Sequence, residues 1–391
     1  MEENVTAASE DLFTETVLPG EAEAAEIPPK KTKRRINRQK LQDNIWGWAF
    51  CLPLIVGTIW FIYAALIMAL LLSFTNYSIG AAGTDGTLGE FLAHLGDHIY
   101  KEAVVDADGF PTGEYVTRPF FWYSQIFTKT ITDGGLGITM NEMGMYLFNT
   151  VFYMIGIPIG MILSMFLAVC MSRDIKGGNV FRVLYYIPCV ASSISIVYTF
   201  KIMFDTTGVI NGILGTDGLQ WISGGESWNS LTGQNSSSAF MRNPYWCQGF
   251  ISKCVIVIMS VWKGLGGTII LYVAGLSGVN AATKEAAQID GANGWKIFWK
   301  VTMPDLYPTI FYNIVTSVIG GLQIYAEPVL LFGESSYTSG YVSLIWNYGL
   351  STSGTKDTAY PSAGAAYGMF LALIIFVLTL FQFWLDSRKK D

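Results

Sequence analysis

The stretch Lys284–Leu306 reads KEAAQIDGANGWKIFWKVTMPDL and holds the residues best placed to do something specific: Glu285, Ala286, Ala287, Asp290, Gly291 and Pro304. Their chemistry is docking rather than bond-making. Two small alanines let a short helix approach a partner closely. Glu285 offers a charge to a basic or backbone-amide partner. Gly291 can take the left-handed conformation that turns a chain. Asp290 can cap a helix from Asn293 onward, and Pro304 restarts the backbone into the apolar run that follows. Alone, such a segment is an ordinary solvated helix.

A second kind of chemistry comes from charges stranded among apolar residues: Lys263, Lys201 and Glu327. Ionisable residues inside a bilayer are functional candidates by default. Lys263 falls near the middle of its run and should face a subunit interface or a cavity. Glu327 lies about eight residues past the centre of its run, roughly 12 Å outward at 1.5 Å per residue. Lys201 lies at a similar depth, so a Glu327–Lys201 pair is expected, with a contact from Glu327 to a partner subunit as the alternative. A Lys201 that snorkels to the outer interface is an equal reading.

Catalytic and metal chemistry find little material. The only histidines are His94 and His98, four residues apart near Asp97 and Glu90. They could share a metal on a helix, but Gly96 weakens that helix and a solvated face is the simpler reading. Asp106 and Asp108 before Gly109 lack the later ligands of a calcium loop. Cys51, Cys170 and Cys189 sit in apolar runs. Cys247 and Cys254 could meet an oxidising exterior, but their spacing is poor evidence for a disulfide. No GxxxxGK[ST] occurs, so the chain cannot bind ATP in the Walker manner.

The elements that must position these residues follow from composition. Of 391 residues, 51% are apolar and only 14% charged, against roughly 25% charged in a soluble domain. The net charge of −6 gives no reason to expect nucleic acid. The charges are missing in blocks: Asn44–Thr84, Met143–Ser172, Val183–Phe200, Leu306–Ala326 and Thr358–Leu385; a sixth run, Phe250–Val279, is apolar but carries Lys253 and Lys263. Each is long enough to span a bilayer, which takes about 20 apolar residues. Six transmembrane helices are therefore expected in an all-α membrane protein. With the N-terminus inside, 16 of the 24 Lys and Arg fall in segments 1–44, 172–182, 278–305 and 386–391. Both termini are then cytoplasmic.

The remaining organisation is expected as follows. Residues 1–44 form a disordered acidic tail, then a basic run (Lys30–Lys40) that sets topology and can lie against anionic lipid. Residues 45–75 form the first span, and 76–142 an extended external loop region. Residues 143–388 form the transmembrane core of helices 2 to 6, interrupted by the cytoplasmic loop 278–305. Within the external region, Lys101–Arg118 reads as strand, turn, strand. A second outer segment, Asp205–Arg242, is rich in Gly, Ser, Asn and Trp and suits a docking surface.

The skeleton Glu285-Ala286-Ala287, Gly291 and Val301-Thr302-Met303-Pro304 resembles the E-A-A-x3-G-x9-I-x-L-P signature of ATP-binding-cassette (ABC) importer permeases. The extension EAAxxDGA, through Asp290-Gly291-Ala292, is similar to carbohydrate-uptake permeases of the maltose/maltodextrin and glycerol-phosphate type. Phe181–Asn211, Ser260–Leu276 and Gly321–Leu331 resemble that family's third, fourth and fifth spans, and the likeness covers roughly residues 45–388. Ala326 stands where the family usually has an acid, and GESSYTSG (Gly333–Gly340) replaces its GGP.

The resemblance implies the type I ABC importer permease fold and a bacterial-type inner membrane. It implies a coupling helix seated in a separate ATPase subunit, present as a pair, which binds the ATP and Mg; this chain itself needs no cofactor. It also implies a second, related permease and an external solute-binding protein. It places a mid-membrane substrate cavity on the fourth and fifth spans, where Trp262, Thr268, Asn313, Gln323 and Tyr325 join Lys263 and Glu327 as candidates. Each of these could equally pack or glue helices. The implied cargo is a carbohydrate, an oligosaccharide first, with glycerol phosphate or a polyol as runner-up. Two readings from other classes remain: an ATP-independent secondary transporter or channel, and a membrane enzyme working on the outer loops.

Overall fold

The protein is described from a computed structural model, which defines residues 38–77, 79–80, 99, 101–105, 111–132, 139–172, 178–215, 221–222, 249–333, 338–350 and 358–388. His94, His98, Asp106, Asp108, Cys247 and the acidic tail lie outside these residues. The chain divides into two units, Met1–Phe61 and Ile62–Asp391.

The described part of the first unit is helical: α1 (Arg38–Thr58), then the start of a π-helical turn (Ile59–Tyr63). Its Trp46, Trp48, Phe50 and Trp60 are all more than 60% exposed. Exposed rings on the uncharged apolar stretch that begins at Trp46 belong in lipid, where no hydrophobic penalty attaches to them.

In the second unit, α2 (Ala64–Leu72) packs along the C-terminal helix. A short helix, α3 (Phe121–Thr128), precedes the second span. The second span is α4 (Glu142–Tyr153) followed by α5 (Gly156–Met171), with a local break at Met154-Ile155 two residues before the Pro158 ring. Asn141 caps α4 by accepting from the Gly144 N–H. Next come α6 (Gly178–Val190), α7 (Ser193–Met203) and α8 (Val209–Leu214). The long α9 (Phe250–Ser277) is the fourth span. A pair of short helices, α10 (Ala281–Ile289) and α11 (Gly294–Ile297), leads through a π-helical turn (Phe298–Thr302) into α12 (Met303–Leu322). The chain ends with α13 (Ala326–Phe332), α14 (Tyr341–Gly349) and α15 (Pro361–Ser387).

Among the described residues, four helices are long and apolar enough to cross a membrane, or up to six if two bent pairs each count as one span. The expected third span, Val183–Phe200, is not one straight helix. Its halves α6 and α7 meet at 97° across Ala191-Ser192. Pro188 cannot donate to the turn before it, and Ser192 adopts extended backbone (ψ 132°) with no side-chain cap. The fifth span is also broken. α12 and α13 meet at 44° across Gln323-Ile324-Tyr325, where Tyr325 leaves helical geometry at φ −140°, ψ −57°.

Three two-stranded antiparallel ribbons decorate the helices among the described residues: β1 (Ile79–Gly80) with β6 (Thr358–Ala359), β2 (Lys101–Val105) with β3 (Pro111–Thr117), and β4 (Thr130–Thr132) with β5 (Thr139–Asn141). The antiparallel pair β2–β3 supplies the two strands expected within Lys101–Arg118.

The interior is built from three apolar clusters. One joins Phe152, Phe200, Ile256 and Met259 of the second to fourth spans. One joins Tyr146, Leu322, Leu344 and Tyr367. One joins Ala168, Leu265, Tyr272 and Leu306 beside the loop that carries α10. Buried polar groups pin the turns between them. Asn149 donates to the Ser339 carbonyl at 3.0 Å, the Tyr341 N–H donates to Thr150 Oγ1 at 2.8 Å, and the Tyr153 hydroxyl donates to the Thr338 carbonyl.

Gly349 and Gly364 set the approach of α14 to α15. A Cβ on Gly364 would stand 2.6 Å from the Gly349 Cα and 3.1 Å from the Ile345 carbonyl. Neither obstacle is a flexible side-chain end, so the helices must move apart. Gly364→Ala is expected to cost about 1–3 kcal/mol of packing. The measurement is the melting temperature of the purified protein in detergent, which should fall by several degrees, while Gly368→Ala, facing only a distant Ile345 methyl at 4.0 Å, should not move it.

Candidate functional site

Two sites emerge, one on the loop before the fifth span and one inside the helices. On the loop, α10 is a free-standing helix with none of its residues buried. Asn280 caps its start by accepting from the Ala282 N–H. Its end is closed by two crossed backbone bonds, Ala292 N–H to the Ala287 carbonyl and Gly291 N–H to the Gln288 carbonyl, both 3.0 Å. This is a Schellman closure, which needs a left-handed residue at its corner. Gly291 supplies it with φ +77°. The sequence expected Gly291 to turn the chain, and it does.

Asp290 was expected to cap the following helix, and the structure corrects this. Asp290 is the last residue of the α10 turn, while Asn293 caps α11 by accepting from the Lys296 N–H at 2.9 Å. The reason is the Gly291 corner. It reverses the chain after Asp290, so only a residue beyond the corner can face the next helix. Pro304 sits in the first turn of α12, where its missing N–H is harmless.

Glu285, Ala286 and Gly291 are exposed and Ala287 is half-buried. Beside them Ile289 is 87% exposed and Trp295 is 70% exposed. Ile289 escaped the sequence reading because its single letter fits any helix; only its complete lack of cover marks it.

The second site is a cavity of about 620 Å³ lined by the second, fourth and fifth spans and by Cys189 of α6. Lys263, Thr268, Gln323, Tyr325 and Glu327 all line it, as do Tyr153, Ser260 and Ser317. The break in the fifth span explains this convergence. Unwound backbone in a membrane segment is tolerated where it faces a cavity, and Gln323 and Tyr325 lie in the unwound residues. Trp262 and Asn313 are not brought to the cavity. Trp262 packs on Phe200 with ring centroids 5.7 Å apart, and Asn313 is buried and donates to the Tyr272 hydroxyl at 3.0 Å.

The expected Glu327–Lys201 pair is replaced by another. Lys263 Nζ donates to Glu327 Oε1 at 2.7 Å and to Ser193 Oγ at 2.8 Å. Lys201 is exposed on α7. Counting 1.5 Å per residue along straight helices failed because both spans involved are bent. The 97° break moves Lys201 off its expected line, and the 44° break brings Glu327 back to the level of Lys263. Ser193, the first residue after the α6–α7 break, was invisible while that span was read as continuous.

A third cluster ties α14 to α4. The Tyr348 hydroxyl donates to Glu142 Oε2 at 2.6 Å, and Lys129 Nζ lies 4.1 Å from the Tyr348 ring centroid. Burial and the Glu142 carboxylate both push the Tyr348 phenol well above its ordinary value, so it remains a donor. Among the described residues no group of three or more His, Cys, Asp or Glu could hold a metal ion.

A mostly helical bundle with long apolar spans, an exposed capped helix before the fifth span and an internal cavity holding a Lys–Glu pair has the architecture of a membrane transport permease. Residues 156–391 match the family model of the binding-protein-dependent transport system inner membrane component, and the chain belongs to that family. It is similar to the protein named "Probable ABC transporter permease protein YesP" of Bacillus subtilis, with 25% identity over 91% of this chain and 96% of that one. It is 29% identical to the lactose transport system permease protein LacF of Rhizobium radiobacter over 62% of this chain and 75% of that one. Its fold matches a chain of the bacterial alginate ABC transporter solved in complex with an alginate pentasaccharide-bound periplasmic protein, with a TM-score of 0.61, 18% identity, and 90% and 98% of the two chains covered.

Proposed function

We propose that this permease moves a carbohydrate, an oligosaccharide first, delivered by an external solute-binding protein and driven by ATP bound with Mg in a separate pair of ATPase subunits. The observation that carries the energy-coupling part is α10: capped at both ends, turned by Gly291, and exposing Glu285, Ala286 and Ile289 without cover from this chain. Such a helix is built to seat in a groove of another protein. When ATP closes the ATPase pair, this helix and its counterpart on a second related permease approach as rigid bodies. The spans then rock from inward to outward access, and hydrolysis resets them. The transported carbohydrate is supported by relatives whose names carry lactose and alginate and by the hydroxyl- and amide-bearing cavity lining of Thr268, Ser317 and Gln323. The basic segments flanking the spans put both termini in the cytoplasm.

The test is affinity purification of the tagged chain from its own membranes, followed by uptake in proteoliposomes. An ATPase and a second permease should co-purify, and uptake of an oligosaccharide should require ATP and the binding protein. Uptake by the chain alone without ATP would establish the secondary-transporter reading instead. A glycerol-phosphate or polyol importer is a second reading, supported by a 24% identical relative named as the sn-glycerol-3-phosphate transport system permease protein UgpA of Agrobacterium fabrum. Competition of labelled sugar uptake by glycerol phosphate separates the two.

Cavity volume gives a further expectation. Thr268→Trp adds a large ring where Thr268 meets the cavity, and where the threonine hydroxyl now donates to the Gly264 carbonyl. Transport should fall at least tenfold, while the ATPase stays bound to the complex. Retained transport would place the pathway elsewhere.

A further inference from the structure

We propose that the Lys263–Glu327 pair makes the cavity selective for uncharged saccharides, and that Glu327 excludes acidic ones by occupying Lys263 in their place. This rests on the carbohydrate reading above.

Lys263 and Glu327 are the only Lys, Arg, His, Asp or Glu among the described residues that line the cavity. Their charges cancel, so the lining carries no net charge. The pair is tight, at 2.7 Å, and Ser193 holds the ammonium from a second side at 2.8 Å. Both side chains keep part of their surface open to the cavity, 28% for Lys263 and 20% for Glu327. They are therefore within reach of a ligand.

The chemistry of the two groups decides what that ligand can be. An ammonium has three donors, and two are used. The third can serve a sugar hydroxyl without disturbing the pair. The free oxygen of the Glu327 carboxylate can accept from another hydroxyl. A neutral saccharide thus gains from both charges and breaks neither. An acidic sugar meets a different balance. Its carboxylate must displace Glu327 from Lys263, which strands an anion in a medium of low dielectric. Otherwise it must sit beside Glu327 and be repelled. The rest of the lining offers no second cation to offset that cost. Thr268, Ser317 and Gln323 supply neutral hydrogen bonds, and Tyr325 supplies a ring.

Removing the guard charge should invert the preference. Glu327→Gln leaves Lys263 as the only formal charge in the lining, held by Ser193 and ready for a carboxylate. Removing Lys263 as well should abolish that gain.

The experiment uses the assembled complex, this chain with its partner permease and ATPase pair, in lipid nanodiscs. The binding protein is left out so that its own selectivity does not enter. Equilibrium dialysis measures trigalacturonate and trimannuronate against their fully methyl-esterified, uncharged forms. The quantity read is the ratio of affinities, ester over acid. Wild type should favour the ester at least tenfold. E327Q should shift the ratio at least tenfold toward the acid, and the double variant Lys263→Met with Glu327→Gln should lose that shift. Equal binding of acid and ester by wild type overturns the inference, and so does a ratio unmoved by E327Q; in both cases the carbohydrate reading stands. Should E327Q fail to assemble, the wild-type ratio alone decides. Binding of glycerol phosphate but of no saccharide in either form overturns the carbohydrate reading and this inference with it.

Discussion

Ile289→Asp should strip the proposed ATPase from the complex and abolish ATP-driven uptake, while the permease itself folds and inserts normally. The two halves of this expectation come from one number. Ile289 is 87% exposed at the end of α10, so in this chain a carboxylate there costs nothing beyond the usual surface range of about half a kcal/mol. Seated in a partner groove, the same position loses the burial of an isoleucine, about 1.5–3 kcal/mol, and forces an unpaired carboxylate out of water. Together these amount to a loss of roughly a hundredfold or more in affinity. The readout is the ATPase recovered per permease on affinity purification, alongside the elution profile of the permease on size exclusion. Ile289→Leu should retain the ATPase. A normal ATPase yield with Asp at 289 would show that α10 docks by another face.

Gly291 supports the same helix through the backbone. A Cβ there meets nothing within 4 Å, so Gly291→Val tests strain alone. At φ +77° a β-branched residue is held in a region it avoids, at a cost of about 1–3 kcal/mol. The Schellman closure should open, and ATPase recovery should fall in proportion while the membrane level of the permease is kept.

The docking helix was legible in the sequence because its signals are local. Glycine at a helix corner and small adjacent alanines each act within a few residues. Even there the cap was assigned to Asp290 rather than Asn293, since the corner at Gly291 decides which residue faces the next helix. The spans were legible because a bilayer demands length and apolarity, which composition reports directly. The cavity was legible only in part. Gln323, Tyr325, Lys263 and Glu327 stand out as polar residues in apolar runs, but their meeting depends on two breaks. A proline at 188 and a Gly-Gly-Leu-Gln run at 320–323 hint at those breaks without giving their angles. Trp262 and Asn313 carry the same polar or aromatic signal and face Phe200 and Tyr272 instead. Residue type cannot tell a lining residue from a helix-to-helix contact; only the rotation of the span can.

The ion pair gives the second large expectation. Lys263→Glu places two carboxylates where a 2.7 Å pair now stands. At an effective dielectric near 20, like charges about 4 Å apart repel by roughly 4 kcal/mol. The side chains keep some exposure to the cavity and can swing apart, so about 2–3 kcal/mol is the fair expectation for what remains. Uptake should then fall by roughly 30- to 150-fold. Glu327→Lys should do the same by opposing two ammonium groups. Reversing both, Lys263→Glu with Glu327→Lys, restores the attraction and should recover uptake to within several-fold of wild type. Ser193 can follow the exchange, because a hydroxyl accepts from an ammonium and donates to a carboxylate. The comparison that decides is Lys201. By itself Lys201→Glu changes an exposed residue and should be mild, and combining it with Glu327→Lys should rescue nothing. Rescue through Lys201 instead of Lys263 would mean that α7 swings its cation onto Glu327 during transport. The break at Ala191-Ser192 would then be a working hinge and not a fixed bend.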